Sequence, residues 1–218
     1  MTFIPKGMAG VLLLALLLSA CHSSAPNSTG QADQPATSNP TATANPSEYQ
    51  EFALKFPLQK MPCNLPGDFQ KNGTELDKKY VKDLLSGSFT PAFGHEDILP
   101  SITDNVEAAK YFAGGRLKLD SFDGYVVHKQ ADDDYYFLCI FDKQGNFTDG
   151  TWIAFTEGSN DDGTVREASI NDDGSIEISQ YDVLKGKPNQ SGAERHFYII
   201  TSQGKIKDMK ENATPAHA

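Results

Sequence analysis

The sequence predicts an α+β domain in which an antiparallel β-meander of about six to eight strands, an open sheet or a partly closed barrel, follows two short helices. Three observations carry this expectation. From Gly124 onward, short runs rich in β-branched and aromatic residues alternate with clusters of Asp, Asn and Gly. Between Thr74 and Gly115, two stretches repeat apolar residues at helical spacing. Between Cys21 and Ser47 the chain lacks the apolar content to join a core.

In chain order, the first element is Lys6, then an apolar run over residues 11–18, then Leu18-Ser19-Ala20-Cys21. That run is far short of the roughly 20 residues that cross a bilayer, so residues 1–20 read as an export signal and not as a span. The segment resembles the signal of bacterial lipoproteins. The resemblance covers this segment alone, and it implies that the chain is cut before Cys21, that the Cys21 sulfur receives a diacylglycerol and that the new amino group is acylated. An ordinary secretory signal with an incidental cysteine is the alternative. Several acyl chains retain a protein on a membrane where one holds it only reversibly. The resemblance therefore implies a lipid-anchored protein of the bacterial cell envelope. In enteric-type lipoproteins an aspartate after the cysteine marks retention at the inner membrane; His22 stands there, which favours the outer membrane.

Residues 23–46 are almost entirely Ser, Thr, Ala, Pro, Asn, Gln and Gly, with Asp33 as the one charge. Such a chain cannot bury enough apolar surface to offset the entropy of ordering it, so residues 21–46 are expected to be a lipidated cysteine followed by a tether. Its reach is about 25–30 Å for about 25 residues. Residues 47–210 are expected to form one globular domain, and residues 211–218 a flexible tail.

Within the domain, Thr74 and Asp77 offer a capping start for a helix with Leu76, Tyr80 and Leu84 on one face and Gly87 as a stop. A second helix is expected from Thr103 or Asp104 through Val106, Ala109 and Tyr111-Phe112 to Gly114-Gly115. Between them, residues 86–100 read as a loop carrying His95-Glu96-Asp97. Strands are expected at 125–128, 135–141, 152–155, 165–170, 176–178 and 196–201, joined by glycine-containing hairpins. Residues 135–141 are apolar on both faces and predict a central strand covered on both sides, by helices on one. Residues 175–179 alternate, placing Ile176 and Ile178 inward and predicting an edge or solvent-facing strand.

The acidic turns are the nearest thing to a motif. Asn-Asp-Asp-Gly occurs at 160–163 and again at 171–174. Counting an EF-hand loop from Gly163 places Gly158 first and Ser169 twelfth; counting from Gly174 places Ser169 first and Gln180 twelfth. None of these supplies the required carboxylates, so hairpin turns are expected and no metal site. His95, His128 and His196 are too widely spaced to form a zinc motif, and the nucleophile-elbow, zinc-helix, phosphate-loop and dinucleotide signatures are missing. No catalytic residue and no cofactor are expected.

Export would place Cys63 and Cys139 in a compartment that permits disulfides. With Cys21 committed to lipid, the two form the disulfide candidate. The competing reading is that Cys139, inside the apolar run 135–141, packs as a small hydrophobe. Tyr135, Tyr136, Phe147, Trp152, Tyr181, Phe197 and Tyr198 either fill the core or present a recognition patch. Of 19 basic residues only Lys6 precedes Cys21, so 18 remain against 29 acidic residues. That balance argues against nucleic acid and against broad docking on anionic lipid. The expected function is a non-catalytic binding module whose partner is another envelope protein, peptidoglycan or an extracellular molecule. A periplasmic inhibitor or immunity protein against a basic toxic hydrolase is the first rival, and an envelope enzyme the second.

Overall fold

The strands after residue 110 are rich in β-branched and aromatic residues, some apolar on both faces and others on one, and the chain folds them into one antiparallel sheet. The computed structural model describes residues 46–69, 73–87, 102–158 and 161–209. All lie in the second of two units of the chain, Pro40–Ala218. The elements are α1 (Pro46–Ala53), β1 (Cys63–Leu65), β2 (Thr74–Glu75), α2 (Lys78–Leu84), β3 (Lys110–Lys118), β4 (Phe122–Gln130), β5 (Asp134–Asp142), β6 (Phe147–Gly158), β7 (Asp162–Ile170), β8 (Ser175–Leu184), β9 (Lys187–Pro188), β10 (Glu194–Ile200) and β11 (Ile206–Asp208). The sheet has 11 strands in the order β11-β10-β8-β7-β6-β5-β4-β3-β2, with β1 paired to β7 and β9 to β8. Among the described residues no pairing joins β2 to β11, so the sheet is open.

The six strands expected from the sequence are β4, β5, β6, β7, β8 and β10. The sheet exceeds the expected size because β1, β2, β9 and β11 are only two or three residues long, too short to show a period. β3 overturns a second expectation. Residues 110–118 are a strand and not the end of a helix. Asn105 sits at φ 50°, which interrupts a helix, and residues 102–108 form turns. Gly114 and Gly115 mark a β-bulge. A Cβ on Gly114 would lie 2.9 Å from the Val126 carbonyl oxygen and one on Gly115 2.8 Å from the Phe69 ring, so these glycines permit close approach instead of stopping a helix.

Of the two helices, α2 begins at Asp77, whose Oδ1 accepts the Lys79 N–H at 2.9 Å, and it buries Tyr80, Val81 and Leu84. The other, α1, begins where the tether is expected to end. It buries Tyr49 and Phe52, three residues apart on one face.

Two clusters of buried residues divide the molecule into layers. Tyr125, Val127, Phe137, Cys139 and Phe141 point to one face of β4 and β5, where they meet Tyr49, Phe52, Phe56, Leu76, Tyr80, Val81 and Leu84. Val126, Tyr136, Leu138 and Ile140 point to the other face and meet Leu65, Ala168, Ile170, Ile176, Ile178, Tyr198 and Ile206. The sheet therefore folds over on itself. Along β7, the pairing with β6 runs from Gly163 to Arg166, and β1 then takes the place of β6 against Ala168 to Ile170. The freed half of β6 reaches β11 instead: Asp149 Oδ2 accepts the Ile206 N–H at 2.9 Å, and Thr148 Oγ1 donates to the Gly204 carbonyl at 3.0 Å. The order is helices, then β2 to β6, then β7, β8, β10 and β11. As expected, β5 is covered on both sides.

Candidate functional site

The outward face of β7, β8 and β10 carries the residues that alternate away from the second cluster. On β7 these are Val165, Glu167 and Ser169; on β8, Ser175, Glu177, Ser179 and Tyr181; on β10, Arg195, Phe197 and Ile199. The alternation expected for residues 175–179 holds, but β8 lies between β7 and β10. It faces solvent because nothing among the described residues is stacked outside it, not because it is an edge.

Register sets these side chains in rows. Ser169 stands opposite Glu177, which stands opposite Phe197; Glu167 stands opposite Ser179, which stands opposite Arg195; Val165 stands opposite Tyr181. The Ser169 hydroxyl donates to Asn64 Oδ1 at 2.7 Å, and the Asn64 N–H donates to Asp68 Oδ2 at 2.7 Å, which joins β1 to the same face. Arg195 Nη1 lies 3.3 Å from Glu177 Oε1. Partial burial, followed by the neighbouring Glu167 carboxylate, raises the Tyr181 phenol above its ordinary value. A groove of about 290 Å³ runs between β1, β7 and β8, lined by Asn64, Gly67, Glu167, Ser169, Glu177 and Ser179. Phe197 is 43% exposed beside it. Hydroxyls, an amide, two carboxylates, one guanidinium and aromatic surface can bind a partner by hydrogen bonds and apolar contact.

The other sequence candidates scatter. Tyr136, Trp152 and Tyr198 are core residues, and Tyr135 and Phe147 pack against the first cluster; of the seven aromatics, only Tyr181 and Phe197 reach the open face. His128 is buried, stacked between Phe112 and Tyr136, with Nε2 2.8 Å from Asp134 Oδ1. His196 lies half-buried on β10, and His95 falls outside the described residues, as do Cys21 and the tether. Among the described residues no group of three or more His, Cys, Asp or Glu could hold a metal ion. Gly174 takes the positive φ expected of a hairpin turn, at 79°. Gly163 differs: it belongs to β7 and pairs with Gly158, which has the positive φ of 90°.

Cys63 and Cys139, the disulfide candidate, are not joined in this structure. Both thiols are free and buried, and they belong to different clusters on opposite sides of the central layer. Burial pushes the Cys63 thiol up to about 11 and raises the Cys139 thiol further.

Four charged side chains, Asp123, Lys129, Asp149 and Arg166, are buried among the described residues, and none was legible in the sequence. The Arg166 guanidinium stacks over Trp152 at 4.3 Å and donates from Nε and Nη2 to Gln180 Oε1 at 3.0 and 2.7 Å. Burial lowers it to about 10. It fills the wedge where β6 and β7 diverge, so its role is to hold the sheet's fold-over. Asp123 binds Arg116 at 3.1 Å and Lys143 at 3.2 Å. A lone Arg or Asp in an alternating strand carries no signal of this kind.

No known protein family, curated protein or solved structure matches the chain.

Proposed function

We propose that this protein is a lipid-anchored component of the bacterial cell envelope that acts by binding, and that its recognition surface is the outward face of β7, β8 and β10. One observation carries the choice of face. The helices cover one side of the central layer and the folded-over strands cover the other, which leaves the outer side of β7, β8 and β10 to water. That side is opposite the helix layer containing α1, the first described element after the tether.

The partner that fits is a basic protein. The chain carries 29 acidic residues against 19 basic ones, and the groove itself presents Glu167 and Glu177; opposite charge on a partner speeds encounter and disfavours wrong partners. Inhibition of a basic envelope hydrolase is one form this binding takes. His22 after Cys21 supports the outer membrane as the site of the anchor.

Capture from envelope extract, compared between the wild type and Tyr181→Ala/Phe197→Ala, tests the face. Truncating central aromatic anchors costs about 2 kcal/mol or more, about thirtyfold in affinity. A basic protein retained by the wild type should be lost by the double variant at an unchanged melting temperature. Equal retention by both would place the binding surface elsewhere.

A further inference from the structure

Among the described residues, the two most exposed of the large apolar side chains are not on the open face. Leu54 is 86% exposed and Leu58 68% exposed, both in the segment that leaves α1. This segment is held rigidly. Phe56, between them, is buried against Phe52 and Tyr125 at ring distances of 4.8 and 5.0 Å. The Pro57 carbonyl accepts the Arg116 N–H at 2.8 Å, and the Gln59 N–H donates to the Arg116 carbonyl at 2.8 Å. Leu54 and Leu58 are therefore displayed by a fixed backbone, flanked by exposed Lys55 and Lys60. From Phe52 to Gly67 the chain has no acidic residue and two lysines, in a protein whose net charge is −10.

We propose that residues 54–62 are a membrane-contact loop, in which Leu54 and Leu58 enter the boundary between headgroups and acyl chains while Lys55 and Lys60 meet anionic headgroups. The inference rests on the lipid anchor at Cys21. From Cys21 to Pro46 the tether reaches about 25–30 Å, and α1 adds about 12 Å at 1.5 Å per residue, so among the described residues the loop is the first exposed apolar surface along the chain from the anchored lipid. Charge selects the same occupant. The net acidity of the chain disfavours broad contact with anionic lipid, whereas this loop combines apolar and basic side chains in a way that suits such a surface; the same combination at Leu184, Lys185 and Lys187 lies much farther along the chain from Cys21, so position 184 is the discriminating control. The acyl chains supply retention; the loop supplies a second contact that fixes how the domain lies on the bilayer.

The test uses the mature, lipidated full-length protein in vesicles of phosphatidylethanolamine and phosphatidylglycerol, with brominated acyl chains as quencher. Trp152 is the only native tryptophan and is buried, so it gives a constant background. Leu58→Trp should be quenched about twofold or more, as expected for a side chain about 5–10 Å into the interface, and should emit further to the blue. Leu184→Trp, at a position 55% exposed on β8, should behave as in water. Adding Lys55→Glu and Lys60→Glu to Leu58→Trp should abolish the quenching while the protein still floats with the vesicles. Protein that floats without quenching at position 58, or is quenched equally at 58 and 184, overturns the loop and leaves the anchor standing. Protein that does not float overturns the anchor and the loop with it.

Discussion

Replacing Phe52 by alanine tests where the tether ends and the domain begins. Phe52 is fully buried, and its ring lies 4.8 Å from Phe56, 5.9 Å from Tyr80, 5.3 Å from Tyr125 and 5.8 Å from Phe141. Phe→Ala in a core costs about 3–5 kcal/mol, the sum of lost transfer energy and an unfilled cavity. The four neighbouring rings belong to α2, β4, β5 and the segment after α1. None can move into the space without displacing its own element, which places the cost in the upper part of that range. For a domain of this size 1 kcal/mol shifts the melting temperature by about 2–4 °C, so a cost of about 4–5 kcal/mol should appear in thermal denaturation followed by circular dichroism as a drop of about 8–20 °C. Deleting residues 23–45 should leave the transition where it is, within about 1–2 °C, because no packed surface is removed. A loss below about 1 kcal/mol for Phe52→Ala would refute the packing of α1 on the sheet and extend the tether beyond Ala53. A lowered transition in the deletion would refute the tether instead.

Two further outcomes follow from the cysteines. Cys21→Ala should move the protein from the membrane pellet to the soluble fraction, and a variant that still pellets would reveal a second anchor. Native protein at pH 8 should resist alkylation at Cys63 and Cys139, because burial raises both thiols and keeps them protonated well above their usual range. In denaturant without reductant both should react at once; a thiol that stays blocked until reductant is added would show a disulfide.

The strands were legible because period-two alternation and glycine turns are local. Residues 135–141 announced a strand buried on both faces by being apolar at every position, and residues 175–179 announced the opposite. β3 was misread because Tyr111-Phe112 followed by Gly114-Gly115 also fits a helix and its stop; the bulge that explains the glycines depends on Phe69 and Val126, which only the fold brings near. α1 was missed for the same reason. Its eight residues adjoin a Pro-rich segment and show only Tyr49 and Phe52 as a face, while Tyr125 and Phe141, which those rings meet, lie more than 70 residues away. For the candidate site, the sequence supplied the aromatics but not their direction. Whether Tyr181 points inward or outward is a matter of parity relative to Ile176 and Ile178, and which face is covered depends on β6 leaving β7 beyond Arg166.

That departure links the core to the proposed function. β4, β5 and β6 hold the long apolar runs, and burying them on both faces requires two covering layers. The helices and turns of residues 46–56, 76–85 and 102–109 supply one. The second can come only from strands that are apolar on one side, and β7, β8 and β10 are of that kind, with Ala168, Ile170, Ile176, Ile178 and Tyr198 inward. The fold-over needs a filler where two strands part, which Arg166 provides by stacking on Trp152 and bonding Gln180. The outward residues of the covering strands are then free of packing duty. Glu167, Glu177, Ser179, Arg195 and Phe197 can be replaced at little cost to stability, since surface substitutions away from caps and buried networks stay within about 0.5 kcal/mol. A change at Tyr181 or Phe197 that abolishes capture while the fold is unmoved would therefore report on binding alone, which is what makes this face a separable site and not a by-product of the core.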